Sequence, residues 1–219
     1  GVQSSENSDV YGYNSLAQRV RMTRKILEHQ MPSVANELQI LDLGGSSGCI
    51  YIDKQKQYIY KVYAPTDYTI ESEDEIEMGN FSNTEHALSL MKKDIQQTAF
   101  IGRLGIGPKE FDSAPPREEN GYVIPAVVRM EYVDIGYLYD IPHDQFVTEA
   151  HKMSEILATH HLRPAGALEI HWDKRKNRLQ CVDLVEMEPG TLSAEELFEE
   201  IYGQYEDSVN RKARYKIID

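Results

Sequence analysis

Apolar residues recur at helical spacing in four stretches of the chain and alternate with polar residues in most of what lies between. Ser15–Gln30 places Leu16, Val20, Met22, Ile26 and Leu27 on one side and Arg19, Arg21, Arg24 and Lys25 between them, which predicts a helix with a solvated basic face. Thr84–Leu104 repeats Leu88, Met91, Ile95, Ala99 and Ile101 on one side and ends at Gly105-Ile-Gly-Pro108. Asp144–His160 carries Phe146, Ala150, Met153 and Leu157 in phase. Ser193–Tyr205 opens with Ser193 and Glu196 at capping-box spacing. Strands are predicted at Gln39–Leu43, Cys49–Asp53, Tyr58–Ala64, Lys109–Asp112, Tyr122–Tyr132, Ala167–Trp172 and Leu179–Leu184, the last two joined by the basic turn Asp173–Asn177. Residues 1–10 read as loose, and the acidic stretch Pro65–Asn80 as an exposed loop.

Strands gather early and helices late, so the order predicts an α+β fold in two layers with a cleft between two lobes. The divisions are a loose N-terminus over 1–13, a first lobe with its preceding helix over 14–133, and a reduced second lobe over 134–219.

Composition narrows the function. The 219 residues include 23 Lys and Arg against 36 Asp and Glu, a net charge of −13, which argues against nucleic acid as a main partner. A basic protein surface is compatible with that charge, and so is a nucleotide pocket, which needs only local cations and amides. No apolar stretch approaches the ~20 residues of a membrane helix, and no signal-peptide pattern opens the chain. Cys49 and Cys181, far apart and each in a predicted strand, read as reduced buried thiols, which points to a reducing compartment.

The chemistry-bearing run is Gly44-Gly-Ser-Ser-Gly48 followed by a hairpin that ends in Lys61. Glycines let a backbone approach phosphate oxygens closely, and the hairpin delivers one cation to them. This run resembles the nucleotide-covering loop of the protein-kinase-like superfamily, and Tyr60-Lys61-Val62 resembles its phosphate-binding strand. Val127-Val-Arg-Met130-Glu131-Tyr132-Val133 resembles the strand and hinge between kinase lobes. The resemblance implies Met130 behind an adenine, Glu131 and Val133 offering backbone groups to its edge, and a helical carboxylate holding Lys61. Asp94 has the best spacing for that carboxylate, with Glu85 as the alternative. Cys181-Val-Asp183 is similar to the strand ending in the metal-binding aspartate, though Leu184-Val185 replaces the usual Phe-Gly.

The catalytic loop departs from the family. His160-His161-Leu162-Arg163-Pro164-Ala165-Gly166 puts His161 where the catalytic aspartate belongs and Gly166 where the metal-binding asparagine belongs. Sliding the alignment by one residue puts Leu162 and Ala167 there instead. His161 is a candidate base, because an unperturbed imidazole titrates near neutrality. Glu169, His171 and Glu186 are candidate replacements for the lost ligands, and His171–Asn177, which imitates a catalytic loop, reads as a hairpin turn.

The resemblance covers roughly residues 38–190 and looks most like the short kinase-like proteins of bacterial effectors and viruses. It implies ATP and Mg²⁺ as ligands, held by Gly44, Gly45, Ser46, Ser47, Gly48, Lys61, Asp94 and Asp183, and a protein partner or substrate. It implies a place in the cytoplasm, the chain's own or a host's. The altered loop favours a pseudokinase, with an active atypical phosphotransferase as the alternative. A third reading is a methyltransferase, since Ile40–Gly48 also resembles a loop that binds S-adenosylmethionine. That fold needs a helix directly after the glycines, where this sequence is β-branched and aromatic.

Overall fold

A computed structural model of the chain describes residues 16–43, 48–65, 68–70, 79–166 and 169–215. The reading of 1–10 as loose and the residues Gly44, Gly45, Ser46, Ser47, Ala167 and Leu168 lie outside that set. The fold is α+β, with antiparallel sheets in its N-terminal part and helices dominating its C-terminal part. It divides into two compact units, one running to Gln96 and resuming over Glu110–Tyr132, the other made of Gln97–Lys109 and the chain from Val133.

The first unit holds α1 (Leu16–Gln30), β1 (Gln39–Asp42), β2 (Gly48–Ile52), β3 (Tyr58–Tyr63), β4 (Tyr68–Ile70), β5 (Gly79–Phe81) and most of α2 (Thr84–Leu104). It closes with β6 (Glu110–Ala114), β7 (Arg117–Glu119), β8 (Tyr122–Ile124) and β9 (Val127–Glu131). Its main sheet has the order β1-β2-β3-β9-β6. The β2–β3 turn forms because Asp53 accepts backbone hydrogen bonds from Gln57 (2.8 Å) and Tyr58 (2.9 Å) through Oδ1. α1 buries Met22, Ile26 and Leu27 with Cys49, Tyr51 and Val62 of the sheet in one core. Buried Thr23 and Tyr51 share a 2.8 Å hydroxyl contact there. The arginines of α1 have structural work: Arg24 donates to the carbonyls of Ala35 (2.8 Å) and Leu38 (3.1 Å), and Arg19 to that of Leu43 (2.8 Å).

Two sequence expectations change in this unit. Pro65–Asn80 was expected as a loop, but Tyr68–Ile70 pairs antiparallel with Gly79–Phe81, and the buried Tyr68 hydroxyl donates to Val123 O at 3.0 Å. Tyr122–Tyr132 was expected as one strand, but it serves two sheets. β8 joins the sheet β4-β5-β8-β7 and β9 joins the main one. Pro125 sits at the break, where it has no N–H to give a ladder. Its carbonyl and that of Pro115 each accept from Gln30 Nε2 at 2.9 Å.

The second unit contains β10 (Ile135–Gly136), α3 (His143–Thr159), β11 (Leu162–Pro164), β12 (Ile170–Asp173), β13 (Arg178–Cys181), β14 (Leu184–Glu186) and α4 (Ala194–Tyr215). Phe146, Ala150, Met153 and Leu157 are buried along α3 as their spacing predicts. Leu197, Ile201 and Tyr205 face the same core from α4, which continues ten residues past its expected end at Tyr205. His151 stacks on Phe198 at 3.9 Å and Phe146 on Tyr205 at 4.3 Å. The Ser193–Glu196 capping box closes with two reciprocal 3.2 Å bonds. β12 and β13 form the expected hairpin, in which the buried Asp173 carboxylate accepts from the backbone N–H groups of Arg175 (3.0 Å) and Lys176 (3.2 Å). Both cysteines are buried free thiols, Cys49 in the core of the first unit and Cys181 in that of the second. Among the described residues no helix is long and apolar enough to cross a membrane.

Candidate functional site

Lys61 lies on β3 opposite Val128, between Tyr60 and Val62, whose side chains turn into the core. Alternation along the strand therefore puts Lys61 and Tyr63 on one face. Lys61 Nζ is 3.4 Å from Asp94 Oδ2 of α2 and 4.6 Å from the centre of the Tyr63 ring. The Tyr63 hydroxyl donates to the same Asp94 oxygen. One carboxylate thus holds a lysine and a tyrosine that reach it from one strand. Glu85 is exposed in the first turn of α2, about 13 Å along the axis from Asp94 at ~1.5 Å per residue, so Asp94 takes the lysine. About a third of each side chain is exposed (28% for Lys61, 34% for Asp94), and such pairs add only about 0–1 kcal/mol to stability. What the pair does is aim the ammonium group. Tyr63 was missing from the sequence-derived site, although its i, i+2 relation to Lys61 was the signal that would have found it.

Gly48, the last of the glycine run, opens β2 with φ +144°. A Cβ at this position would lie 1.8 Å from Val62 O and 3.0 Å from Ala64 N. The close approach of the β3 backbone by itself accounts for glycine here, independently of any phosphate. Gly44, Gly45, Ser46 and Ser47 are outside the described residues, and Leu43, just before them, is held through its carbonyl by Arg19.

Met130 is buried near the end of β9, opposite Ile59 on one side and Glu110 on the other. Glu131 lies opposite Tyr58, and the next residue, Tyr132, closes the first unit with a 3.0 Å bond from its N–H to Gln57 O. Val133 is half-buried and begins the second unit.

Within the second unit a short ladder decides which residues of the altered loop meet. β11 pairs with β14 through Leu162↔Glu186, Arg163↔Val185 and Pro164↔Leu184. At one end of it Met187 N donates to His161 O at 2.8 Å. At the other, Ala165 N is 3.4 Å from Asp183 O. His161 is exposed, carries φ +54°, and follows the C-terminal end of α3. The three residues of β11 separate its backbone from that of Ala165 by roughly 13 Å, four steps at ~3.3 Å each. Glu186 lies at the His161 end of the ladder.

Asp183 instead meets Glu169. Val182 N donates to Glu169 O at 3.0 Å, and Glu169 N donates to Gly166 O at 3.2 Å. Burial first, and the Asp183 charge second, push the Glu169 carboxyl above its ordinary range. Gly166 occupies open space, with nothing within 4 Å of an added Cβ, and its carbonyl accepts from Gln204 Nε2 at 3.3 Å.

His171 lies on β12 opposite Gln180, and burial holds its imidazole below the usual value. The unfolded chain therefore takes up this proton more readily than the folded one. The stability that neutral His171 contributes is fully present above about pH 6.5 and is lost as pH falls through the lower folded value. Urea midpoints measured from pH 7.5 down to 5 are expected to fall less steeply for His171→Gln than for the natural sequence; equal slopes would remove His171 as a source of acid sensitivity.

No family model matches the chain, and neither does any curated protein. Among solved structures, the chain is similar to the Cydia pomonella granulovirus kinase PK-1, with 15% identity, a TM-score of 0.39, and 71% of this chain and 53% of that one covered. The chain thus spans about half the length of that kinase.

Proposed function

We propose that this chain is a protein-kinase-like nucleotide-binding domain with a degenerate catalytic loop, a pseudokinase that acts by binding a protein partner. The observation that carries the reading is the Lys61–Asp94 pair on β3 and α2. The glycine run precedes β2, the lysine follows on β3 and the carboxylate on the next long helix, which is the order the family uses to hold nucleotide phosphates. A lysine pre-aimed by a carboxylate loses little freedom when it meets a phosphate. The helix that a methyltransferase needs after its glycines is absent from this stretch, where β2 and β3 run antiparallel.

The residues also fit a divalent cation. Among the described residues there is no cluster of three or more metal-binding side chains. Mg²⁺ needs none, because it is commonly held by one or two carboxylates together with substrate phosphates. Asp183 and Glu169 are such a pair: burial first and the Asp183 charge second raise the Glu169 pKa, and a cation would relieve the second of these. Bound there, the ion would neutralise phosphate charge.

That second carboxylate is also what favours the alternative, an active atypical phosphotransferase. Glu169 would then stand in for the missing asparagine, and no base is assigned, since His161 sits at the far end of the β11–β14 ladder from Asp183.

A thermal-shift titration with ATP, with and without Mg²⁺ and with S-adenosylmethionine as control, tests the proposal. The expected result is a Mg²⁺-dependent rise in Tm with ATP and none with the control. Absence of any ATP shift would overturn nucleotide binding. Phosphate release or transfer by the loaded protein, lost in Glu169→Gln, would replace the pseudokinase with the enzyme.

A further inference from the structure

The second unit carries a basic pole on a chain whose net charge is −13. Lys174, Arg175, Lys176 and Arg178 occupy four of five consecutive positions at the β12–β13 turn. Backbone groups bonded to Asp173 shape the turn, with Asn177 at φ +56°. Arg178 turns back onto the sheet, its guanidinium 2.7 and 3.0 Å from the end of the Gln180 amide, which accepts from it when the amide oxygen is turned toward Arg178. Lys174 binds the neighbouring strand, its N–H donating to Asp134 O at 2.9 Å and its Nζ 3.7 Å from the Asp134 carboxylate. Arg175 and Lys176 are exposed at the tip.

Beside this turn the surface is apolar. β10 is the edge strand of the sheet β10-β12-β13, with Ile135 paired to Asp173, the residue that opens the turn. Ile135 is 55% exposed and Tyr137, two residues on, 66%. Tyr137 stacks flat on Tyr139 at 4.8 Å and 7°, and Lys212 of α4 sits 4.7 Å over the Tyr139 ring. A stacked aromatic pair has already lost much of its rotamer freedom, so little more is lost when a partner covers it. Exposed apolar side chains rimmed by charge are a mark of interaction surfaces.

We propose that β10, the Tyr137–Tyr139 stack and the basic β12–β13 turn form a docking surface for an acidic peptide segment of a partner protein that also carries apolar side chains. The carboxylates would meet Arg175, Lys176 and Lys212, and the apolar side chains would cover Ile135 and Tyr137. Charge favours a peptide over an anionic membrane or a nucleic acid. A short segment feels only the pole within a Debye length of about 10 Å, whereas an extended polyanion also meets the acidic remainder of the chain. The surface stands apart from the nucleotide reading, and its test uses no nucleotide.

The test is fluorescence anisotropy of the full chain with a fluorescein-labelled synthetic peptide of acidic residues interrupted by two leucines. Controls are the same peptide with lysines in place of the acids, and vesicles of phosphatidylserine and phosphatidylcholine. Saturable binding of the acidic peptide is expected, weakening as salt rises, and falling about tenfold or more in the doubly substituted Arg175→Glu, Lys176→Glu chain. Tyr137→Ser should weaken it independently, and Tm should stay unchanged in each variant. Equal binding of the lysine peptide, capture by anionic vesicles alone, an undiminished affinity after charge reversal, or no binding of the acidic peptide would each overturn the proposal.

Discussion

Gly48→Ala is expected to destabilise the first unit by about 3–5 kcal/mol, a large part of the ~5–15 kcal/mol that holds a domain folded. Two effects add. The residue holds φ +144°, where an L side chain is strained by roughly 1–3 kcal/mol. The new Cβ would also fall 1.8 Å from Val62 O, a backbone atom within the β2–β3 ladder, where no rotamer change can make room. Relief requires β2 to slide or peel away from β3, which loses the Gly48↔Tyr63 and Cys49↔Val62 pairs and uncovers Cys49 and Tyr51. Equilibrium urea unfolding followed by tyrosine fluorescence measures the loss. Gly105→Ala, whose Cβ meets nothing within 4 Å but whose φ is +76°, separates strain from collision and should cost clearly less. A Gly48→Ala midpoint near that of the natural chain would mean that β2 starts after this residue.

Lys61→Met is expected to lower ATP affinity by about ten- to a hundredfold while leaving the urea midpoint within ~1 kcal/mol. A hydrogen bond between a charged donor and phosphate is worth about 1.5–3 kcal/mol, whereas a part-exposed ion pair such as Lys61–Asp94 holds little of the fold together. Tyr63→Phe refines the experiment. It keeps the ring beneath the ammonium group and removes the hydroxyl that shares the Asp94 oxygen. An affinity unchanged by Lys61→Met would take the lysine out of any phosphate site, whatever the Tyr63 variant does.

Legibility in the sequence followed how local the cause was. The β2–β3 hairpin, the register of α3 and the Ser193–Glu196 cap each depend on residues within a few positions of one another, and each stands where the pattern put it. The β7–β8 hairpin is as local and carries a signal of its own. Asn120-Gly121 between Arg117–Glu119 and Tyr122–Ile124 is the strongest short hairpin signal, and both residues have positive φ (53° and 82°). The split at Pro125 was hidden by burial, since Val123, Ile124, Ala126 and Val127 form one continuous buried apolar run on either side of the break. The β11–β14 ladder could not be read at all. Its strands are three residues long, one contains a proline, and their partnership spans some twenty residues of chain. That ladder is what puts His161 and Asp183 at opposite ends, while Glu169 is a carboxylate that feels the Asp183 charge. Nothing in the spacing of residues 160–166 encodes a partnership with residues 184–186.

The two cysteines have a use unconnected with any ligand. Each core contains one of them, and burial pushes both thiols above their ordinary range. A thiol reacts as its thiolate, so alkylation must wait for the surrounding core to open. Mass spectrometry of the two cysteine peptides would then time the opening of each unit separately, in one sample of the unmodified chain. A ligand that tightens one unit alone would slow one peptide's labelling and leave the other's unchanged.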